Sequence, residues 1–223
     1  MLVRPTDAGF PIATGSWQHR HIARTHPIYL EAGQKWVFAC SLSWPGWCRR
    51  GRGEDEAIET LQAYASRYRA AVGSGFAAAE IEVVGRLVGT AATDFGVPTV
   101  VGPWDNEPVT KEEVQRQIAI LEASWRAFDA VVKKSGPRLR KGPRGGGRDR
   151  DQIADHVREA ERAYARKVGA RVPPRTAWLE QRVALVGALQ AATPEVKWPV
   201  RYAIRRVGWH VLDHAWEIED RNG

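Results

Sequence analysis

The chain has 223 residues, 43% of them hydrophobic, and a formal net charge of +7. This length holds one large domain or two small ones, and the apolar fraction provides a sizeable core. No run of about eighteen apolar residues occurs, which excludes a membrane span, and no basic start precedes an apolar run as in a signal peptide. With only two cysteines, Cys40 and Cys48, we exclude a disulfide scaffold and expect buried thiols in a cytoplasmic protein.

The excess of positive charge lies in one segment. Residues 133–150 contain eight basic residues and one acidic residue, so the rest of the chain is formally neutral. Nucleic-acid-binding proteins usually spread their basic residues over a face. We therefore expect a local anion site or a mobile arm here, with nucleic-acid binding through this segment as the lesser alternative.

The first half of the chain predicts a small α+β module. Residues 1–26 are expected to be irregular, with His19, His21 and His26 exposed. Strands are predicted at residues 27–32, 35–43, 47–50 and 80–87, from alternating or β-branched runs bounded by glycine and proline turns. Three acidic residues from Glu54 onward, followed by apolar residues at helical spacing, predict one helix that ends near Gly73. The module spans residues 27–88 in the order strand, strand, strand, helix, strand.

The second half predicts a helical bundle. Residues 89–108 are rich in glycine and proline and are interpreted as a connector that contains the domain boundary. Thr110 and Glu113 form a capping-box pattern at the start of the next helix. Four helices are predicted: residues 111–134, a second helix capped by Asp149 or Asp151 that ends near Val168, residues 175–191 and residues 196–221. Helices of this length with breakers between them predict an antiparallel four-helix bundle over residues 109–223.

Three histidines in these helices are candidate metal ligands. His210 and His214 are four residues apart, so they project from one helix face about 40° apart and can hold one metal ion together. His156 lies on the apolar stripe of the second predicted helix. Buried imidazoles are costly unless their nitrogens are satisfied. Metal ligation would satisfy them, and so would hydrogen bonds to Asp155, Asp213 or backbone carbonyls.

The helices that carry these histidines resemble a known family. The segments RDRDQIADHVREAERAYARKVG and HVLDHAWEIEDR are similar to the DinB-like superfamily, which includes the mycothiol-dependent maleylpyruvate isomerase group and the bacillithiol transferases. The resemblance covers residues 107–223. It implies a four-helix bundle with a three-histidine metal site, one ligand from the second helix and two from the last, and His156, His210 and His214 occupy those places. It does not imply a substrate, because members differ in substrate.

The N-terminal module also resembles a known fold. Residues 35–57, KWVFACSLSWPGWCRRGRGEDEA, are similar to the HicB-like fold of antitoxin proteins. Such a likeness bears on fold and not on function. Antitoxins of this kind bind a toxin and often carry a DNA-binding element, and no helix-turn-helix or basic ribbon is evident in this sequence.

A three-histidine site leaves at least one coordination position open. Water or a thiol bound there would be acidified, and a carbonyl bound there would be polarised. We expect zinc, with nickel as the alternative, because imidazole ligands suit both. Asp155 and Asp213 are expected to orient the imidazole rings, and Glu159 and Glu217 to act as general base. A plain surface role is the alternative for each of the four.

The basic segment leads directly into the helix that carries His156. Arginine side chains and consecutive glycine amides can bind a carboxylate or phosphate. We therefore expect an anion site at Arg144, Gly145, Gly146 and Arg148, with a solvated loop as the alternative.

These observations predict a cytoplasmic, metal-dependent enzyme of the DinB-like type. Its metal would activate a low-molecular-weight thiol such as mycothiol, or water, for transfer to or isomerisation of a small electrophilic or anionic substrate. A metal-dependent hydrolase or cyclising enzyme that uses no thiol is one alternative. A non-catalytic, partner-binding protein with a metal-stabilised bundle is another. A homodimer is possible, and no membrane association is expected.

Overall fold

The computed structural model describes residues 25–77, 79–142, 146–193 and 195–223. The chain is a mixed α+β protein, with a four-stranded sheet in its N-terminal half and several helices in its C-terminal half. The predicted irregular segment, residues 1–26, lies outside the described residues except for Thr25 and His26. These two residues belong to the first strand.

The sheet contains β1 (Thr25–Ala32), β2 (Val37–Ser41), β3 (Cys48–Gly51) and β4 (Glu80–Val88) in the order β3-β2-β1-β4. Strand β2 pairs antiparallel with both β1 and β3, whereas β4 pairs parallel with β1. A parallel pair requires a crossover connection, and two helices, α1 (Glu54–Ala63) and α2 (Ala65–Val72), supply it. Where one helix is predicted, the structure has two, because the helix is interrupted at Tyr64. The ring of Tyr64 packs 5.0 Å from that of Trp216, which is far along the chain.

Both faces of the sheet are covered. On one face, apolar side chains of β1 and β2 pack against those of α1 and α2. The strands contribute Ile28, Leu30 and Val37, and the helices contribute Ala57, Leu61 and Tyr68. On the other face, Tyr29, Phe38, Cys40 and Cys48 form a cluster with Trp209 of a C-terminal helix. The alternation of side chains along a strand thus supplies two apolar surfaces, and every residue of β2 is buried.

Four long helices follow: α4 (Lys111–Lys134), α5 (Arg150–Lys167), α6 (Trp178–Gln190) and α7 (Val200–Arg221). The Oγ1 atom of Thr110 accepts a hydrogen bond from the amide of Glu113 at 3.2 Å, and so begins α4 as predicted. Helices α6 and α7 begin later than predicted, α7 directly after Pro199, which has no amide hydrogen to donate. No helix in the described ranges is both long and apolar enough to cross a membrane.

The apolar faces of the four long helices meet in one core, which includes Leu121, Phe128, Ile153, Val157, Leu185, Val207 and Val211. Ile120 of α4 and Leu212 and Trp216 of α7 belong instead to the core beneath the sheet. Helix α7 therefore contacts both layers. This double contact orients α7 and with it the histidines that it carries.

The predicted connector, residues 89–108, contains regular structure. It includes a short helix, α3 (Ala91–Phe95), and a 3-10 turn (Pro103–Asp105). The buried carboxylate of Glu31 in β1 accepts hydrogen bonds from Thr93 Oγ1 at 2.6 Å, the amide of Thr99 at 2.9 Å and the amide of Val100 at 3.0 Å. These bonds hold the connector against the C-terminal end of β1.

Candidate metal centre

The structure brings the three predicted histidines together. His156 lies on α5, and His210 and His214 lie one turn apart on the facing side of α7. Val207 and Val211 turn one side of α7 into the helical core, while Trp209 faces the sheet. The remaining stripe of α7 faces α5, so His210 is only 6% exposed.

The distances within the cluster suit a single metal ion. Nε2 of His210 lies 3.2 Å from Nε2 of His156. The ring centroids are 5.0, 5.0 and 4.6 Å apart, and one ligand nitrogen from each ring lies within 4.8 Å of the others. Two nitrogens bound at about 2.05 Å to a tetrahedral zinc ion are roughly 3.3 Å apart. The pair His156–His210 already has this spacing. A movement of the His214 ring toward this pair would give all three nitrogens the spacing that one metal ion requires.

A carboxylate orients the third ring. Nδ1 of His214 donates to Oε2 of Glu217 at 2.8 Å, and Nη1 of Arg221 donates to Oε1 at 2.5 Å. Burial raises the pKa of Glu217, but the hydrogen bonds and charges of His214 and Arg221 outweigh it and lower this pKa overall. Glu217 is therefore ionised at neutral pH. Its bond to Nδ1 leaves Nε2 of His214 available to a metal.

The protonation states also suit metal binding. Burial, followed by the charges of His214 and Arg206, holds the pKa of His210 well below its usual value. Burial and the charges of His214 and Arg148 likewise lower the pKa of His156. Both rings are neutral at neutral pH, which is the form that binds metal.

The residues present therefore fit a divalent metal such as zinc. A hydrogen bond between His156 and His210 is the metal-free alternative, but it satisfies one nitrogen on each of two rings only. The buried Nδ1 of His210 has no hydrogen-bond partner within the described ranges in either case, because the metal would bind Nε2. A metal ion would engage all three rings at once.

The other predicted acids lie away from the histidines. Asp213 forms an ion pair at 2.8 Å with Arg49 of β3, and Glu159 is exposed and pairs with Arg162. Asp155 is exposed. Neighbouring residues on a helix point about 100° apart, so Asp155 and Asp213, directly beside a histidine, face elsewhere. An acid three residues on can share the face of a histidine, as Glu217 does, but Glu159 turns to Arg162 instead. Among the described residues, Glu217 alone of the four expected acids contacts a histidine ring.

The basic segment is described in part. Arg144 and Gly145 of the predicted anion site lie outside the described residues, while Gly146 and Arg148 are exposed. The charge of Arg148 contributes to the lowered pKa of both His156 and His210. Its backbone oxygen accepts a hydrogen bond from Arg221 at 2.8 Å, so the arginine that holds Glu217 also holds this loop.

Sequence reasoning did not identify two residues beside the cluster. The ring of Tyr164, on α5, lies 5.7 Å from that of His210. The guanidinium carbon of Arg206, one turn before His210 on α7, lies 5.2 Å from the centroid of the Tyr164 ring. The four-residue spacing between Arg206 and His210 was the available signal in the sequence.

Two further groups of candidate residues are buried. The expectation that His26 is exposed is wrong: it is 7% exposed, and its Nε2 lies 2.7 Å from the carbonyl oxygen of Ala77 within an aromatic cluster. Cys40 and Cys48 are register partners on β2 and β3 with sulfurs 2.6 Å apart, both buried as expected. Burial raises the pKa of the Cys48 thiol well above its usual value, so it is a poor nucleophile.

Comparison with known proteins gives no relative. No family model matches this sequence, and no curated protein and no solved structure matches the chain.

Proposed function

We propose that the protein is a cytoplasmic, metal-dependent enzyme of the DinB-like type. In this proposal α4 to α7 form a DinB-like antiparallel four-helix bundle, and the sheet with α1 and α2 forms a HicB-like module. The supporting observation is the cluster of His156, His210 and His214, in which Glu217 orients the last ring. Three imidazoles and an outer carboxylate are a typical donor set for catalytic zinc.

The proposed roles follow from these contacts. A divalent ion held by the three histidines would supply Lewis acidity toward a carbonyl, a thiol or a water. Glu217 holds His214 in one tautomer and has both oxygens committed, to His214 and Arg221. We therefore assign Glu217 to orientation of the ring and not to proton transfer. Glu159 is engaged with Arg162 at the surface, which disfavours the general-base role expected for it.

In the proposed reaction, a low-molecular-weight thiol such as mycothiol, or water, is activated at the metal site. The activated thiol or water is then transferred to a small electrophilic or anionic substrate, or the substrate is isomerised. Reaction of the metal-loaded protein with electrophiles, with and without added thiol, separates these two cases. Turnover without thiol indicates the hydrolase or cyclising alternative. No turnover by a protein that binds metal favours the non-catalytic alternative.

The first test is metal content. We expect about one zinc or nickel ion per chain in the purified wild type, and its loss in His156→Ala and His210→Ala with the helical circular dichroism unchanged. Asp155→Ala is the matched control, because this exposed residue adjoins His156 without contacting the cluster. Metal retained in both histidine variants, or none in the wild type after reconstitution, would overturn the proposal.

A further inference from the structure

Arg206 lies beside the histidine cluster, next to two aromatic rings. Its guanidinium carbon lies 4.6 Å from the centroid of the Trp209 ring and 5.2 Å from that of Tyr164. Its Nη1 atom is buried and has no hydrogen-bond partner among the described residues. Two aromatic rings thus hold the half-buried guanidinium in place, and the Tyr164 side chain is close enough to hydrogen-bond to it.

Other arginines of α7 have identified polar partners. Arg205 pairs with Asp105 at 2.6 Å, Arg221 with Glu217 at 2.5 Å, and Arg201 donates to the carbonyl oxygen of Pro108 at 3.1 Å. For Arg206, no ion pair with an acid is found in the part of the chain that the structure describes. A partly buried cation without an acid is costly unless another anion compensates it.

The whole neighbourhood is positively charged. Burial is the main cause of the lowered pKa of His210, and the positive charges of Arg206 and Arg148 lower it further. Glu217 carries the opposite charge, but Arg221 already neutralises it. A divalent metal on neutral histidines would add two more positive charges. Such a site favours an anionic ligand.

We propose that Arg206 binds a carboxylate of a small anionic substrate, one helical turn from the three histidines. The planar guanidinium fork matches a carboxylate, and the free Nη1 supplies the first donor. The phenol of Tyr164, beside Arg206, is the second donor. One helical turn is about 5.4 Å, so the carboxylate would lie a few bonds from the atom that meets the metal. This inference rests on the proposed function of the histidine cluster.

Isothermal titration of the zinc-loaded protein with succinate, its monomethyl ester and inorganic phosphate tests the inference. We expect succinate to bind, and Arg206→Gln to weaken this binding about tenfold or more. Arg206→Lys, which keeps the charge and loses the fork, should give an intermediate loss. Arg201→Gln is the matched control on the same helix and should bind like the wild type. Melting temperatures and zinc content of each variant show whether the site is intact.

The outcomes separate this inference from the metal proposal. If zinc binds normally and Arg206→Gln binds succinate like the wild type, Arg206 is not the anchor, although the metal site stands. If the protein binds no zinc and succinate still requires Arg206, the anion site stands without the metal function. Binding of phosphate in preference to both carboxylates, or of none of the three probes, would overturn the assignment of a carboxylate.

Discussion

The hydrogen bond from Nδ1 of His214 to Glu217, at 2.8 Å, determines which nitrogen of this ring is free. With the proton on Nδ1, Nε2 carries the lone pair that a metal ion can bind. Arg221 stabilises the carboxylate on its other oxygen. A chain of contacts three and four residues apart on one helix face thus prepares one ligand of the proposed metal site.

Replacement of Glu217 should weaken metal binding without unfolding the protein. Loss of an outer carboxylate typically reduces metal affinity about 10- to 100-fold, because the ring tautomer and orientation are no longer held. We expect this range for Glu217→Ala in competition with a chromophoric chelator. Glu219→Ala is the control, since this exposed acid pairs with Arg67 instead. Equal affinities for the two variants would remove Glu217 from the site.

Metal should stabilise the folded chain by mass action. The cluster is preformed in the folded state, so zinc at about 100 times its dissociation constant should add about 2.7 kcal/mol to the free energy of unfolding. The melting temperature of the wild type should rise with zinc concentration and fall again with a chelator. His210→Ala should show no such dependence; a zinc-dependent rise in this variant would indicate binding elsewhere.

The metal-free protein should lose stability as the pH falls below about 6.5, the usual pKa of histidine. The pKa values of His210 and His156 are lowered in the folded state, mainly by burial, so the unfolded chain takes up protons first. The stabilising contribution of the neutral rings is present above pH 6.5 and is lost as the pH approaches the lowered values.

Urea unfolding between pH 5 and 8 measures this dependence, and His210→Gln should flatten it. Burial raises the pKa of Glu161, so this residue makes the free energy of unfolding fall as the pH rises, which is opposite in sign to the effect of the histidines. Glu161 is present in both proteins, so its effect cancels in the difference between them. A difference that stays constant from pH 5 to 8 would show that His210 does not titrate in this way.

Glu31→Ala should destabilise the fold without altering the metal site. The substitution leaves the hydroxyl of Thr93 and the amides of Thr99 and Val100 without their acceptor. Each unsatisfied buried donor costs about 1–3 kcal/mol, so we expect a total loss of about 3 kcal/mol or more in urea unfolding. Glu82→Ala, at an exposed position on β4, should cost far less. Zinc affinity measured well below the melting temperature should be unchanged in both.

Local signals predicted the elements that depend on neighbouring residues. Helix α4 runs from Lys111 to Lys134 as predicted, because Thr110 caps it within its first turn and an apolar stripe repeats along it. The close approach of His210 and His214 follows from four-residue spacing on one helix. His156 could be placed on the buried side of its helix by the same periodicity.

Contacts between distant residues were beyond such reasoning. Asp213 faces Arg49, which is 164 positions away, and Glu31 engages Thr99, 68 positions away. The interruption of the first helix at Tyr64 accompanies a contact with Trp216. No periodicity within a segment of sequence specifies which distant group a side chain will meet.

The sequence by itself therefore determined the four strands, the four long helices and the three histidines, because caps and apolar periodicity act over a few residues, but it missed α3 and the break between α1 and α2. Only the tertiary structure decided which acid orients a histidine, and that Arg206 lies beside the cluster without an acid partner in the described part of the chain. These features depend on how α7 packs against both α5 and the sheet, and that packing is set by the whole core rather than by any one segment.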